Sequence, residues 1–254
     1  MSYTAIVLAG SRPGGDPLAE QFDTDMKALI RVAGEPMVQR PVRALLAAED
    51  VGEVIVLSQA PDRIADVLPD DPRIQLRKSD ATIAATMLEI CLDKQTRWPL
   101  LVTTADHALL DPAMIDEFSR AAEDADIAVG VVERDTLLKR LPDAQRTWLR
   151  FRSGAYTGAN LFALGSPKAA AAIELWRTVE QDRKKGWRIV SLLGPLVFIG
   201  TLLRLLSLDN VLIRLGRRLG LSVKAVRLSN PLAGVDVDKA EDHALAEAIL
   251  AGKA

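Results

Sequence analysis

The sequence predicts an α/β fold, a three-layer, mostly parallel sheet with helices on both faces and a helical insertion in the C-terminal half. Two observations carry that expectation. Short aliphatic and β-branched runs alternate with helix-period apolar patterns through the first half of the chain, the order that parallel crossovers require. The 254 residues are 49% hydrophobic and 26% charged, which is ordinary globular composition on a chain long enough for a sizeable core.

Taken in order, residues 3–8, 54–58, 74–76, 100–103 and 127–132 read as buried strands, and 37–48, 82–93 and 112–122 as the helices between them. Pro36 and Pro112 suit first-turn positions, where the missing N–H costs nothing. After residue 132 the alternation fails. Residues 148–152 and 160–164 read as strands flanking a turn-like Ser-Gly-Ala-Tyr-Thr-Gly-Ala stretch at 153–159. Helical patterns follow at 167–181, about 189–206 and 210–219, then a strand at 222–228 and a last helix at 240–251. With no internal repeat or low-complexity linker, 1–254 is read as one domain in which 183–221 is a basic, apolar insertion. Ligands in such sheets bind at the carboxyl ends of the strands, so the loops that matter begin near Leu8, Ser58, Arg77 and Thr103.

A net charge of −2 gives no reason to expect nucleic acid as a partner. That charge is unevenly spread: 183–227 holds ten Lys and Arg against one acid, Asp209, which points to an anionic partner for this segment. Cys91 is the sole cysteine, so an intrachain disulfide and a cysteine-rich zinc site are both excluded. Its apolar neighbours at helical spacing make it a buried structural thiol. The N-terminus lacks a charged segment followed by a signal-length apolar run, and a cytoplasmic location is the default expectation.

The loop after the first strand, from Leu8 to Ile30, carries glycines, Arg12 and Lys27. Glycine-rich loops at this position can bring backbone N–H groups to phosphate oxygens. Neither common version fits. Gly10 and Gly15 have the P-loop separation, but Asp16-Pro17 follow where Lys-Ser/Thr is needed, and the dinucleotide fingerprint is missing. The layout instead reads Leu8-Ala9-Gly10-Ser11-Arg12, then Lys27-Ala28-Leu29-Ile30, then Gly34-Glu35-Pro36-Met37. In this it resembles the MobA-like nucleotidyltransferases, which have a Rossmann-like, glycosyltransferase-A-like fold and include molybdenum cofactor guanylyltransferases and relatives of cytidylyltransferases. The chain departs from that pattern in lacking a second adjacent glycine and in carrying about six extra loop residues. The resemblance implies that Leu8, Ala9, Gly10 and Ser11 wrap the triphosphate of an NTP, with CTP or GTP as the donor, while Arg12 and Lys27 neutralise its charge as catalytic residues.

Nucleotidyl transfer to a phosphorylated acceptor needs charge neutralisation and in-line positioning rather than a Ser-His-Asp apparatus, and so calls for Mg²⁺ held by carboxylates. Asp106 follows a strand directly, and "Gly-Val-Asp-Val-Asp-Lys-Ala-Glu-Asp" at 234–242 resembles the family's near-C-terminal motif. The resemblance therefore implies Asp106 and Asp236 as metal ligands, with Asp238 on the same side of an extended segment. A capping role is the competing reading for each. Ser79 and Thr82 are candidates for reading the base, with an N-cap role for Ser79 or Asp80 as the alternative. Thr157, Gly158 and Asn160 resemble the acceptor-pocket segment, and Arg183 and Lys184 are candidates to grip the acceptor's phosphate.

Within 189–221 an almost uncharged run precedes Arg214, Arg217 and Arg218 interleaved with leucines. The run is shorter than the roughly 20 residues a spanning helix needs. Two readings stay open: a buried helical subdomain, or a peripheral surface that meets anionic lipid at the inner face of the membrane and admits a lipid-linked acceptor. Two rival functions also stand, a glycosyltransferase of the same fold using an NDP-sugar and a non-catalytic nucleotide-binding protein at the membrane. Against the former, no Asp-x-Asp follows a central strand.

Overall fold

The computed structural model describes residues 2–10, 15–79, 82–181 and 204–253. The main sheet is built from β1 (Tyr3–Leu8), β4 (Val51–Ser58), β5 (Ile74–Lys78), β6 (Leu100–Thr104), β7 (Ile127–Glu133), β9 (Gly154–Leu164) and β10 (Val223–Arg227), with β8 (Leu149–Phe151) hairpinned onto β9. Strands β2 (Arg31–Val32) and β3 (Glu35–Pro36) form a separate small ribbon. The order across the main sheet is β10-β7-β9-β6-β1-β4-β5. Neighbours β1/β4, β1/β6, β4/β5 and β7/β10 run parallel, and β9 alone runs antiparallel between β6 and β7.

Among the described residues the helices are α1 (Pro17–Gln21), α2 (Gln39–Ala47), α3 (Pro61–Ala65), α4 (Ile83–Leu92), α5 (Pro112–Ala122), α6 (Arg134–Arg140), α7 (Ala170–Gln181), α8 (Leu208–Leu219) and α9 (Ala240–Leu250). They cover both faces, and strand alternation shows it: Ala5 and Val7 of β1 join one core with residues of α2 and α5, while Ile6 joins the other with residues of α4 and α7. Cys91 is buried in that second core, and burial pushes its thiol up to about 11, as expected of an inert structural cysteine.

The structure differs from the sequence reading in three places. The 153–159 stretch is not a turn: β9 begins at Gly154, and the reversal falls just before it. The extent of β9 is set by its neighbours rather than by apolar alternation: β8 pairs 154–156, β7 pairs 156–158 and 162–164, and β6 pairs 162–164. Pro36 closes the β2–β3 hairpin, and α2 starts only at Gln39. Helices α1, α3 and α6, of five to seven residues, are too short for periodicity to reveal. Pro112 does take the expected first-turn place, with the Asp111 carboxylate accepting from the Met114 N–H at 2.8 Å.

Candidate active site

Lys27 is the first residue of a single 3₁₀ turn, Lys27–Leu29, and the following hairpin holds it there. Ala33 and Gly34 both take positive φ, 50° and 82°, in a two-residue reversal between β2 and β3. The returning chain then donates from Met37 N–H to Ile30 O (2.8 Å) and from Val38 N–H to Ala28 O (3.0 Å). The Gly34-Glu35-Pro36 stretch therefore braces the segment that presents Lys27.

Asp106 lies just past the carboxyl end of β6. The Ala105 N–H donates to Leu8 O at 3.0 Å, and the Thr104 hydroxyl donates to Asp106 Oδ1. The C-terminal segment crosses the same place, because Val237 N–H donates to Asp106 O at 3.0 Å. Val235 and Val237 are fully buried, so the alternation of an extended chain sends Asp236 and Asp238 together to the other side.

Residues far apart in sequence meet here. Lys27 Nζ lies 2.7 Å from Asp106 Oδ2 and also bonds Asp238 Oδ1. The lysine is only 15% exposed, and burial disfavours its charge; the carboxylates of Asp106 and Asp238 outweigh that and hold its pKa above the ordinary lysine value. Asp236 shifts upward, chiefly from burial and then from the negative charges of Asp238 and Asp106, while Arg146 opposes the shift.

Arg146 was not legible in the sequence. Its Nη1 donates to Asp236 Oδ1 at 2.7 Å, and its Nη2 lies 3.0 Å from Asp242 Oδ1. Asn160 donates from Nδ2 to the other oxygen of Asp236 at 3.1 Å. It sits where the β7/β9 register shifts, at a φ of 46° that asparagine adopts more readily than most residues. The acceptor candidate Asn160 and the metal candidate Asp236 are thus direct neighbours.

A cleft of about 890 Å³ opens beside them, its lining including Arg140, Gln145, Arg146, Thr157, Lys239 and Glu241. Thr157 packs against Gly234, where an added Cβ would come within 2.9 Å of its methyl group, so the C-terminal segment can lie this close only with glycine there. Gly158 is exposed on β9 and faces open space.

At the start of the opening loop, Leu8 ends β1 and Ala9 is buried, donating its N–H to Leu57 O at 2.9 Å. A Cβ on Gly10 would stand 3.0 Å from the Gln59 side chain and 3.3 Å from that of Ile83, so the opening loop runs against the start of α4. Thr82 caps α4, accepting from the Ala85 N–H at 3.3 Å, whereas buried Ser79 shares a 2.8 Å hydrogen bond with the Thr86 hydroxyl. Ser11, Arg12, Arg183 and Lys184 lie outside the described residues. His107 is turned inward at 1% exposure: its ring approaches the Ala233 backbone without an ordinary hydrogen bond, and burial lowers its pKa to about 4.

The apolar stretch at 189–203 also lies outside the described residues. Helix α8 turns Leu208, Val211 and Gly216 inward and presents Ile213, Arg214, Arg217 and Arg218 outward. No helix among the described residues is long and apolar enough to cross a membrane.

Among the described residues no three His, Cys, Asp or Glu side chains form a metal cage by themselves. What converges is a set of carboxylates partly neutralised by Lys27 and Arg146.

Comparison with known proteins supplies the remaining context. The model of the MobA-like NTP transferase domain matches residues 5–193. Over 121 residues the chain is 34% identical to a 3-deoxy-manno-octulosonate cytidylyltransferase of Geotalea daltonii, a match spanning 46% of each protein, so less than half the length of that relative is covered. A hypothetical transferase structure from Thermus thermophilus is 30% identical, with a TM-score of 0.81 over 96% of this chain and 100% of that one. The 4-diphosphocytidyl-2C-methyl-D-erythritol synthase of Anaerococcus prevotii, 13% identical, superposes with a TM-score of 0.61 over 98% of this chain and 96% of its own. This last likeness speaks for the fold alone, and it agrees with the glycosyltransferase-A-like architecture expected from the sequence.

Proposed function

From membership of the MobA-like NTP transferase family, to which this chain belongs, we propose that residues 1–254 act as one Mg²⁺-dependent nucleotidyltransferase domain. An oxygen of an anionic acceptor bonds to the α-phosphorus of an NTP, the α–β phosphoanhydride bond breaks, and pyrophosphate leaves with the bonding electrons. The observation that carries this reading is the convergence of Lys27, Asp106, Asp236 and Asp238 at the carboxyl end of the central strands.

Asp106 and Asp236 fit Mg²⁺, which takes one or two protein carboxylates and completes its shell with water and substrate phosphate. Burial, and after it the charges of Asp238 and Asp106, push the Asp236 carboxyl upward, and a divalent cation among these carboxylates would oppose that shift. Bound there, Mg²⁺ would supply charge neutralisation at the transferring phosphate. Lys27 exchanges its carboxylate partners for phosphate oxygens, joined by Arg12 from the opening loop. Leu8, Ala9, Gly10 and Ser11 line the triphosphate path. Thr82 lies toward the base, while the Ser79 hydroxyl, held in the core by Thr86, does not. Thr157, Gly158 and Asn160 face the acceptor, whose anion Arg183 and Lys184 grip. CTP is the favoured donor over GTP, supported by the cytidylyltransferase relative. That relative's name also widens the acceptor class from phosphorylated compounds to sugar acids.

Thermal-shift measurements with each NTP and Mg²⁺ test the donor. CTP is expected to raise the Tm most, because a ligand present at 100 times its Kd adds about 2.7 kcal/mol of stability. Equal, negligible shifts from all four would contradict the reading.

The outward face of α8 supports a second element, contact with an anionic membrane surface during use of a lipid-linked acceptor. Arg214, Arg217 and Arg218 are exposed there, with Ile213 beside them and exposed Leu205 just ahead of the helix. The inward face of α8 is spent on the protein, so this attraction is mainly electrostatic, about 1 kcal/mol per basic residue near the surface. Cosedimentation with vesicles rich in phosphatidylserine should exceed that with neutral vesicles and fade as salt rises. Replacing the three arginines by glutamine should reduce it and spare NTP binding. Failure of the wild-type protein to sediment even at low salt would leave a soluble acceptor.

A further inference from the structure

We infer that Arg146 is a positioning residue for nucleotidyl transfer: it fixes the orientation of Asp236 and ties the wall of the acceptor cleft to it. The inference rests on the reading of Asp236 as a metal ligand.

Three features set Arg146 apart from a surface ion pair. Its side chain is only 8% exposed, and its guanidinium spans two carboxylates from different parts of the chain, Asp236 and Asp242. Asp242 is itself anchored, since its Oδ2 accepts the backbone N–H groups of Asp238 and Lys239 at 3.2 and 3.1 Å while Oδ1 faces Arg146. The start of α9, Asp242, Arg146 and Asp236 therefore form one braced line. On the far side, Asn160 donates to the remaining oxygen of Asp236.

Each oxygen of Asp236 thus receives one donor and keeps lone-pair capacity for a cation. A carboxylate held by two donors cannot swing freely about its side-chain bonds. The planar fork of arginine presents a separate nitrogen to each carboxylate in a fixed plane, an orientation that a lysine ammonium, a single compact charge, does not reproduce. Arg146 also belongs to the 141–147 loop that walls the cleft, so the same side chain links where the acceptor sits to how Asp236 points. Both terminal nitrogens are committed to carboxylates and Nε is sealed from solvent, which leaves Arg146 unsuited to gripping the acceptor's own anion.

Mn²⁺ titration of the full-length chain, read by the electron paramagnetic resonance of the free ion, tests this without turnover. It is run with no acceptor present and with the NTP that stabilises the protein most. Partners that orient a metal ligand are typically worth 10- to 100-fold in metal affinity. Arg146→Lys, with a Tm close to that of the wild type, is expected to weaken Mn²⁺ binding by ~10-fold or more, while its NTP affinity measured without divalent ions stays unchanged. Arg146→Gln also removes a positive charge beside Asp236, which by itself favours a cation, so the charge-conserving lysine variant is the one that decides. Wild-type Mn²⁺ affinity in folded Arg146→Lys, with Asp236→Asn impaired, would reduce Arg146 to a structural salt bridge. Equal losses of Mn²⁺ and metal-free NTP binding would likewise overturn the proposal, as general damage. If Asp236→Asn itself binds Mn²⁺ normally, the metal reading of Asp236 fails, and this inference fails with it.

Discussion

Asp106→Asn is expected to keep its fold and lose nucleotidyl transfer by about two orders of magnitude or more, the scale seen when one electrostatic partner of a transition state is removed. The substitution is nearly isosteric, and the Asp106 carbonyl that receives Val237 is a backbone group the change leaves in place. What disappears is the charge that opposes Lys27 at 2.7 Å and stands near Asp236. The loss should fall on kcat, with partial recovery at high Mg²⁺ if affinity for the ion is part of the damage. Steady-state kinetics across a Mg²⁺ series give the answer, and wild-type kcat at low Mg²⁺ would remove Asp106 from the metal site.

Lys27→Met should produce two effects of opposite sign. Turnover should drop by about 10²- to 10³-fold and NTP affinity should weaken, because a cation opposed to phosphate in a partly desolvated site is gone. Binding of Mn²⁺ alone should tighten, since Lys27 no longer neutralises Asp106 and Asp238. The stem of methionine fills much of the space of the lysine stem, so the Lys27–Leu29 turn should persist under its hairpin hydrogen bonds. Calorimetric titrations with NTP and with Mn²⁺ separate the two effects, and a Mn²⁺ affinity unchanged or weakened in the variant would contradict direct competition between Lys27 and the metal.

Much of the parallel half of the sheet was legible because β1, β4, β6 and β7 are apolar runs bounded by turns and separated by helix-period segments. The β9 strand was only half legible. Gly154 and Gly158 break its apolar pattern, and neighbours that arrive from elsewhere in the chain, β6, β7 and β8, define its extent. The site was legible where side chains follow strand ends or alternate along an extended segment, as with Asp106, Asp236 and Asp238. It was illegible where partners come from distant sequence. The Lys27–Asp238 pair joins residues 211 apart. Arg146 reaches Asp236 across 90 positions from a loop with no motif of its own, and nothing local distinguishes it from exposed Arg140 or Arg150. Ser79 illustrates the converse. Its place after a strand suggested an outward role, yet its hydroxyl is turned into the core against Thr86.

Pyrophosphate release tests the central claim most directly. The purified chain is incubated with each NTP, Mg²⁺ and a panel of phosphorylated compounds, sugar acids and lipid-linked phosphates, and released pyrophosphate is measured with and without acceptor. Release that depends on one acceptor class and on one NTP, with CTP expected, and that Asp106→Asn abolishes, is the predicted result. Release of a nucleoside diphosphate from an NDP-sugar instead would mark a glycosyltransferase, and absence of pyrophosphate across every NTP and acceptor would contradict nucleotidyl transfer by this chain.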